Sequence, residues 1–317
     1  MSFENDLMYA ANGVKSKAIL RAFQQERAHL TGYYGTDIEK YFEPVPRMFE
    51  PFAKMPVPES YDDIKSQVYR SLHMLSWGEA PSEVALPLVP ANPNLELIRG
   101  SGTAMATWHG AAADEFRANF ITPFSPVAKN QFIAAAALKG ALEAHQLMWA
   151  KAQHDIMDIA NKTDKALDAV VGESDEKDHN PGGTMCFDHG PEAFQVLFTV
   201  VEAVATLGAL IVAPEVTGAE IAITAVAAAA GVGANWPHES APSGSVGGNM
   251  VYEVMASMAA RINDLHRYIY HTEQKIAQAM QDAHKAVEGT KRYFVTNRPQ
   301  LANANAGNVR SQLGEAW

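Results

Sequence analysis

Apolar residues recur at helical spacing through most of this chain, in segments separated by clusters of proline, glycine and charge. In residues 4–31, Leu7, Ala11, Val14 and Ala18 alternate at spacings of four and three, which predicts a first helix ending near Thr31-Gly32. From Tyr33 to Pro58 the prolines at 44, 46, 51, 56 and 58 argue against a long helix. The aromatics Tyr33, Tyr34, Tyr41, Phe42, Phe49 and Phe52 make this segment an extended strap packed by its rings. Ser60 followed by Asp63 resembles a capping box, and Ile64, Val68, Leu72 and Leu75 then share one face as far as Gly78, predicting a second helix. After the prolines at 81, 87, 90 and 93, Asn94 can cap a short helix through Leu95, Ile98, Met105 and Trp108, weakened by Gly100 and Gly102.

Trp108-His109-Gly110 separates that helix from the next and reads as an elbow: a tryptophan plugging the seam of two helices, with a glycine where the backbone turns. Beyond it Ala112, Phe116 and Phe120 recur every fourth residue, and Pro123 and Pro126 predict a kink. From Ala135 a three-four alternation runs through Leu138, Leu142, His145, Trp149, Ala152, Ile156, Ile159, Thr163, Ala166 and Val170, the pattern of a long bundle helix. A charged, breaker-rich stretch from Glu173 to Gly183 lacks periodicity and predicts a loop. Phe194–Ala213 is then almost wholly apolar apart from Glu202, and a second apolar run spans Ile221–Val232 after Pro214-Glu215-Val216-Thr217-Gly218. This apolar helical hairpin has two readings, burial in a bundle or oligomer and insertion into membrane. Glu202 in mid-span weighs for the first. Phe194, Leu197, Phe198, Val201, Leu207, Leu210 and Ile211 are its candidate membrane or oligomer contacts. After a Gly/Ser/Pro linker, a last seam runs through Val251, Met255, Met258, Ile262, Leu265, Ile269, Thr272, Ile276, Ala279 and Ala283.

The fold class predicted is therefore all-α: an elongated helical bundle on a W-x-G hairpin, with an apolar hairpin and a long C-terminal helix. The expected organisation is an N-terminal helix and strap over 1–58, the hairpin over 59–172, a loop over 173–190, the apolar hairpin over 191–236, the C-terminal helix over 237–297 and a tail over 298–317.

Composition narrows the chemistry. A chain of 317 residues, 47% hydrophobic, can bury a sizeable core, and a formal net charge of −11 without a basic run argues against a nucleic-acid partner. The single cysteine, Cys186, excludes an internal disulfide, and the acidic start Met1-Ser2-Phe3-Glu4-Asn5-Asp6 lacks the features of a secretory signal peptide. His179, Cys186, Asp188 and His189 are metal-capable, but no second ligand pair accompanies them, so no metal is expected. His145 and His154 are nine residues apart and form no chelating pair. No nucleophile elbow, Walker motif or dinucleotide glycine pattern is present, so neither catalytic residues nor cofactors are expected.

Trp108-His109-Gly110, with Ala112, Phe116 and Phe120 behind it and a long Ala/Leu-rich helix after that, resembles the WXG (ESAT-like) superfamily of type VII secretion substrates. The resemblance covers residues 60–172 and is best over 104–160. The closer analogues are the larger actinobacterial-type members, the secreted bundles of the EspB type and the toxin-carrier hairpins. It implies Trp108 and Gly110 as the turn motif, and Ala112, Phe116, Phe120, Leu138, Leu142, Trp149 and Ile156 as hairpin packing. It further implies export by the type VII machinery without a cleaved signal, a secreted or cell-surface location, and a small W-x-G partner or self-association. The family's Y-x-x-x-D/E export signal is matched by Tyr33 and Asp37, which precede the W-x-G instead of following a hairpin. The function implied is that of a non-enzymatic structural or interaction protein. The alternative is a membrane-active effector or toxin-delivery partner using residues 194–232.

Overall fold

Helix α1 (Phe3–Arg27) opens the chain, its first turn capped by Ser2, whose hydroxyl accepts the Asn5 N–H, and carrying Glu4 and Asp6 where the helix dipole favours acids. The structure is a computed structural model describing residues 2–27, 37–76, 89–104, 107–170 and 246–296. Among these residues the regular structure is helical with no strand, so the fold is all-α. The described chain divides into two compact units.

The first unit draws, among the described residues, on 2–27, 37–60, 145–170 and 246–274. Leu7, Ala11, Val14 and Ala18 are buried as the spacing predicts, and Ala22 extends the stripe. Against α1 pack α2 (Asp37–Phe42) and α3 (Val45–Ala53). Part of the strap foreseen as extended is thus helical. Its prolines are tolerated because Pro44 stands at the cap and Pro46 in the first turn, where no intrahelical N–H is needed, while Pro51 lies on the exposed side. Its rings do pack: Phe42, Phe49 and Phe52 are fully buried, while Tyr41 is exposed. A 3₁₀ turn at Pro58–Tyr61 follows, and the carbonyls of Pro56 and Pro58 accept the side-chain amides of Gln153 (3.3 Å) and Gln146 (3.0 Å).

The second unit draws, among the described residues, on 61–76, 89–104, 107–144 and 275–296. Helix α4 (Asp62–Leu75) buries Val68 and Leu72 but leaves Ile64 exposed, so its apolar face is narrower than predicted. No capping box forms: the N-cap position of α4 is Tyr61, its first turn accepts no side-chain cap, and the Ser60 hydroxyl donates to Val57 O (2.6 Å). Helix α5 (Pro93–Ala104) is capped by Asn92, two residues before the Asn94 that was predicted to cap it. With Pro93 as the first helical residue, Asn92 Oδ1 accepts the Asn94 N–H (3.0 Å), while its amide donates to Met74 O (2.8 Å). Leu72, Val89, Phe132 and Ala136 form one apolar cluster, with Ser76 donating to Val89 O (2.8 Å) beside it.

After the elbow come α6 (Ala111–Phe116), a π turn (Arg117–Ile121) and α7 (Thr122–Ala169). Where a kink was predicted at Pro123 and Pro126 the chain stays helical, since α7 contains both, and a wider π turn whose Thr122 N–H donates to Arg117 O precedes them. Along α7 the predicted seam holds at Trp149, Ala152, Ile156, Ile159 and Thr163, all buried. Earlier it is displaced: Leu138 is 41% exposed and Leu142 half-buried, while Phe132, Ala136, Ala137, Ala141 and Ala144 are buried. Leu138 is the larger apolar residue, but the helix turns its alanines inward, where packed backbones come close.

Helix α8 (Val251–Gly289) buries all ten predicted seam residues, from Val251 to Ala283. The Glu253 carboxylate turns back to accept the N–H groups of Asn249 (2.7 Å) and Met250 (3.2 Å), the acidic half of a capping box. Gly248 is required there, because a Cβ would run into Glu253. A 3₁₀ turn at Lys291–Tyr293 follows, its region held by Asn130 donating to Tyr293 O (2.9 Å) and Gln131 to Phe294 O (2.6 Å).

Candidate functional site

The elbow is built by its backbone and by an arginine. Gly110 stands at φ +106°, a conformation that side chains disfavour, and its carbonyl accepts the N–H groups of Ala113 (2.9 Å) and Asp114 (3.0 Å) as α6 begins. The Arg117 guanidinium donates to Trp108 O and pairs with Asp114 (3.3 Å), closing the turn from the far end of α6. Trp108 itself does not plug a seam, since it is 38% exposed. Its ring lies over the flank of Phe116 (centroids 5.8 Å apart), which continues to Phe120 (5.2 Å) and Phe124 (5.5 Å). This half-open ladder of four rings climbs one side of α6, the π turn and the start of α7, with α5 packed against the π turn. Offset and tilted ring pairs at these distances are favourable.

Of the predicted packing residues, Phe116 and Phe120 therefore meet in the ladder, and Trp149 and Ile156 enter the core of the first unit. Ala112 is half-buried while its neighbour Ala113 is fully buried. Arg117 and Phe124 were not foreseen, although Phe124 extends the same spacing of four. Asp37 opens α2, while Tyr33 lies outside the described residues. Also outside them are His179, Cys186, Asp188 and His189, the apolar hairpin with Phe194, Leu197, Phe198, Val201, Leu207, Leu210 and Ile211, and the tail from 298. Among the described residues no group of three or more His, Cys, Asp or Glu is placed to hold a metal, and no helix is long and apolar enough to cross a membrane.

The first unit holds the strongest long-range electrostatics. Lys17 Nζ reaches Asp164 (2.7 Å) and Asp168 (2.8 Å), and Arg21 reaches Asp168 (3.1 Å), tying α1 to the end of α7. Partial burial pulls the Lys17 ammonium down, but its hydrogen bonds to Asp164 and Asp168 outweigh this and raise its pKa, and the bonds from Lys17 and Arg21 lower that of Asp168. Two histidines are depressed below the ordinary 6.5 by burial: His145, partly offset by Glu273, and His266, whose ring covers Phe52 (4.3 Å).

No family model, curated protein or solved structure matches the chain.

Gly110→Ala is expected to cost about 1–2 kcal/mol in urea unfolding, the penalty of a side chain at positive φ. Trp108→Ala should cost about 1 kcal/mol, the scale of an exposed ring pair. A loss of about 3–5 kcal/mol for Trp108→Ala would instead mark a buried plug. The histidines give a pH dependence. Unfolded, they titrate at the ordinary 6.5, and folded they protonate only below it. Their neutral forms thus favour the fold above that value, and the contribution is lost as pH falls through the folded values. The melting temperature should fall between about pH 7 and pH 5, and His145→Gln with His266→Gln should flatten that fall. An unchanged profile in the double variant would assign the acid sensitivity to other groups.

Proposed function

We propose that this chain is a non-enzymatic helical protein of the WXG (ESAT-like) type, exported through a type VII (ESX-like) secretion system without a cleaved signal. It acts outside the cell or at its surface as a structural or interaction protein, associating with itself or with a small W-x-G partner. The observation that carries the reading is the elbow at Trp108-His109-Gly110. A positive-φ glycine ends the turn directly before a helix, and aromatic residues at spacing four run up that helix from the motif tryptophan. In this reading α5, the elbow and the helices from α6 into α7 are the W-x-G hairpin, and α8 is the long helix that completes the bundle. Tyr33 and Asp37 are the export tyrosine and its acidic partner.

The partial exposure of Trp108 makes the motif accessible to a recognising machine, and it makes the test clean. In a host carrying a type VII system, Trp108→Ala and Tyr33→Ala should each accumulate in cells and be depleted from culture filtrate at least about tenfold, while purified Trp108→Ala keeps its helical signal with a melting shift of a few degrees. Wild-type export of both variants would remove the basis of the reading.

The apolar runs at 194–213 and 221–232 favour a second reading, a membrane-active effector or toxin-delivery partner. Flotation with anionic and neutral liposomes at neutral and acidic pH separates the two. The interaction-protein reading expects the full chain to stay at the bottom of the gradient under every condition. Flotation that is lost when 194–232 is deleted would support insertion.

A further inference from the structure

We propose that α1 caps the C-terminal end of α7 from outside: the last turn of α7 stays helical because Lys17 and Arg21 are docked against Asp164 and Asp168, and it frays when α1 leaves. All four residues belong to the first unit. The two cations stand one helical turn apart on α1, and the two acids one turn apart on α7. Lys17 Nζ donates to both carboxylates and also to the backbone carbonyl of Asp164 (3.4 Å). Arg21 donates to Asp168 and, from its other terminal nitrogen, to the side-chain oxygen of Gln24 (3.0 Å), which holds the guanidinium in place on its own helix.

The case lies in what the end of α7 lacks by itself. Asp168 stands in the last turn, where the helix dipole presents its negative end and disfavours a carboxylate, and that turn carries no basic residue. Asp164 adds a second negative charge one turn earlier, and exposed Lys165 is the only cation in the sequence from Thr163 to Val170. Apolar packing helps little there. After Thr163 the only buried side chain of α7 is Leu167, and the Thr163 hydroxyl is spent on Ile159 O of its own helix (2.7 Å). Hydrogen bonds from Lys17 first, and from Arg21 next, hold the Asp168 carboxyl below its usual range, so the charge persists at neutral pH. The compensation that this turn needs therefore comes from another helix. An ordinary tie between two helices weakens alike whichever side is neutralised. A cap supplied from outside does not, because removing the acids removes the need for it.

The test is amide hydrogen exchange on the full chain, reading residues 164–169 against residues 152–160 in Lys17→Gln/Arg21→Gln and in Asp164→Asn/Asp168→Asn. None of the four side chains is buried, so both variants should fold and melt within a few degrees of the parent. Lys17→Gln/Arg21→Gln should exchange about fivefold faster at the end of α7 and at the parental rate in its middle. Asp164→Asn/Asp168→Asn should keep the parental rate at both places, and so should the variant combining all four changes. Equal acceleration in the two double variants would reduce the clamp to an ordinary ion-pair tie and overturn the proposal. Acceleration in the combined variant, or no change in any of them, would overturn it too. In about 1 M salt, where the screening length falls to about 3 Å, the gap between the two double variants should close. A gap that persists there would have a cause other than charge and would equally count against the proposal.

Discussion

Alanine on the buried faces of the long helices is the constraint on which the rest of this structure depends. The buried faces of α1 (Ala11, Ala18, Ala22), α7 (Ala136, Ala137, Ala141, Ala144, Ala152, Ala160) and α8 (Ala279, Ala283, Ala286) all present it. Small contact residues draw helix axes toward the short end of the usual separation, but each alanine buries little area. Stabilisation therefore falls to the large residues set among them, such as Leu7, Phe49, Met148, Ile156, Leu167, Met258 and Leu265, all essentially inaccessible. Lys17 and Arg21 reach around the edge of α1 to Asp164 and Asp168, and Lys139, Lys151 and Lys162 pair with acids four residues away on their own helix.

The same constraint explains which elements were legible in advance. Helix α8 was read at all ten predicted seam positions, with Val254 and Ala286 missed, because from Val251 to Ile276 its seam carries mostly large side chains with polar ones between, so size and periodicity agree. Helix α1 was read almost as well. In the first half of α7 the two signals part: alanine is frequent on every face, the eye follows Leu138, and packing chose the alanines. The strap was misjudged for a different reason. Proline weighs most against a helix where an N–H is required; Pro44 and Pro46 fall where none is, and Pro51 alone stands inside α3, on its exposed side.

At the elbow, the glycine was legible and the tryptophan was not. Gly110 must turn, and residue type alone says so. Trp108 is large and apolar, which favours burial, but its actual position depends on Arg117 holding its carbonyl and on Phe116 offering a lateral face. Neither partner is visible in a three-residue motif. The ladder that follows is a product of spacing, since Phe116, Phe120 and Phe124 recur at four and the π turn between them keeps the rings in reach.

One contact bears on how such a chain comes to be folded. The buried side-chain oxygen of Gln25, near the end of α1, accepts the backbone N–H of Val251, the residue that opens α8, across a sequence separation of 226 residues. Glu253 caps the two preceding N–H groups from within the segment, but this one is satisfied only by the other end of the chain. The surroundings of Gln25 on α1 are thus complete only once α8 has joined it. Closing so large a loop carries an entropic cost that local helix formation does not recover, which places the joining of α1 to α8 late and makes it slow compared with helix formation. Until α8 emerges from the ribosome, the apolar stripe of α1 lacks one of its native neighbours.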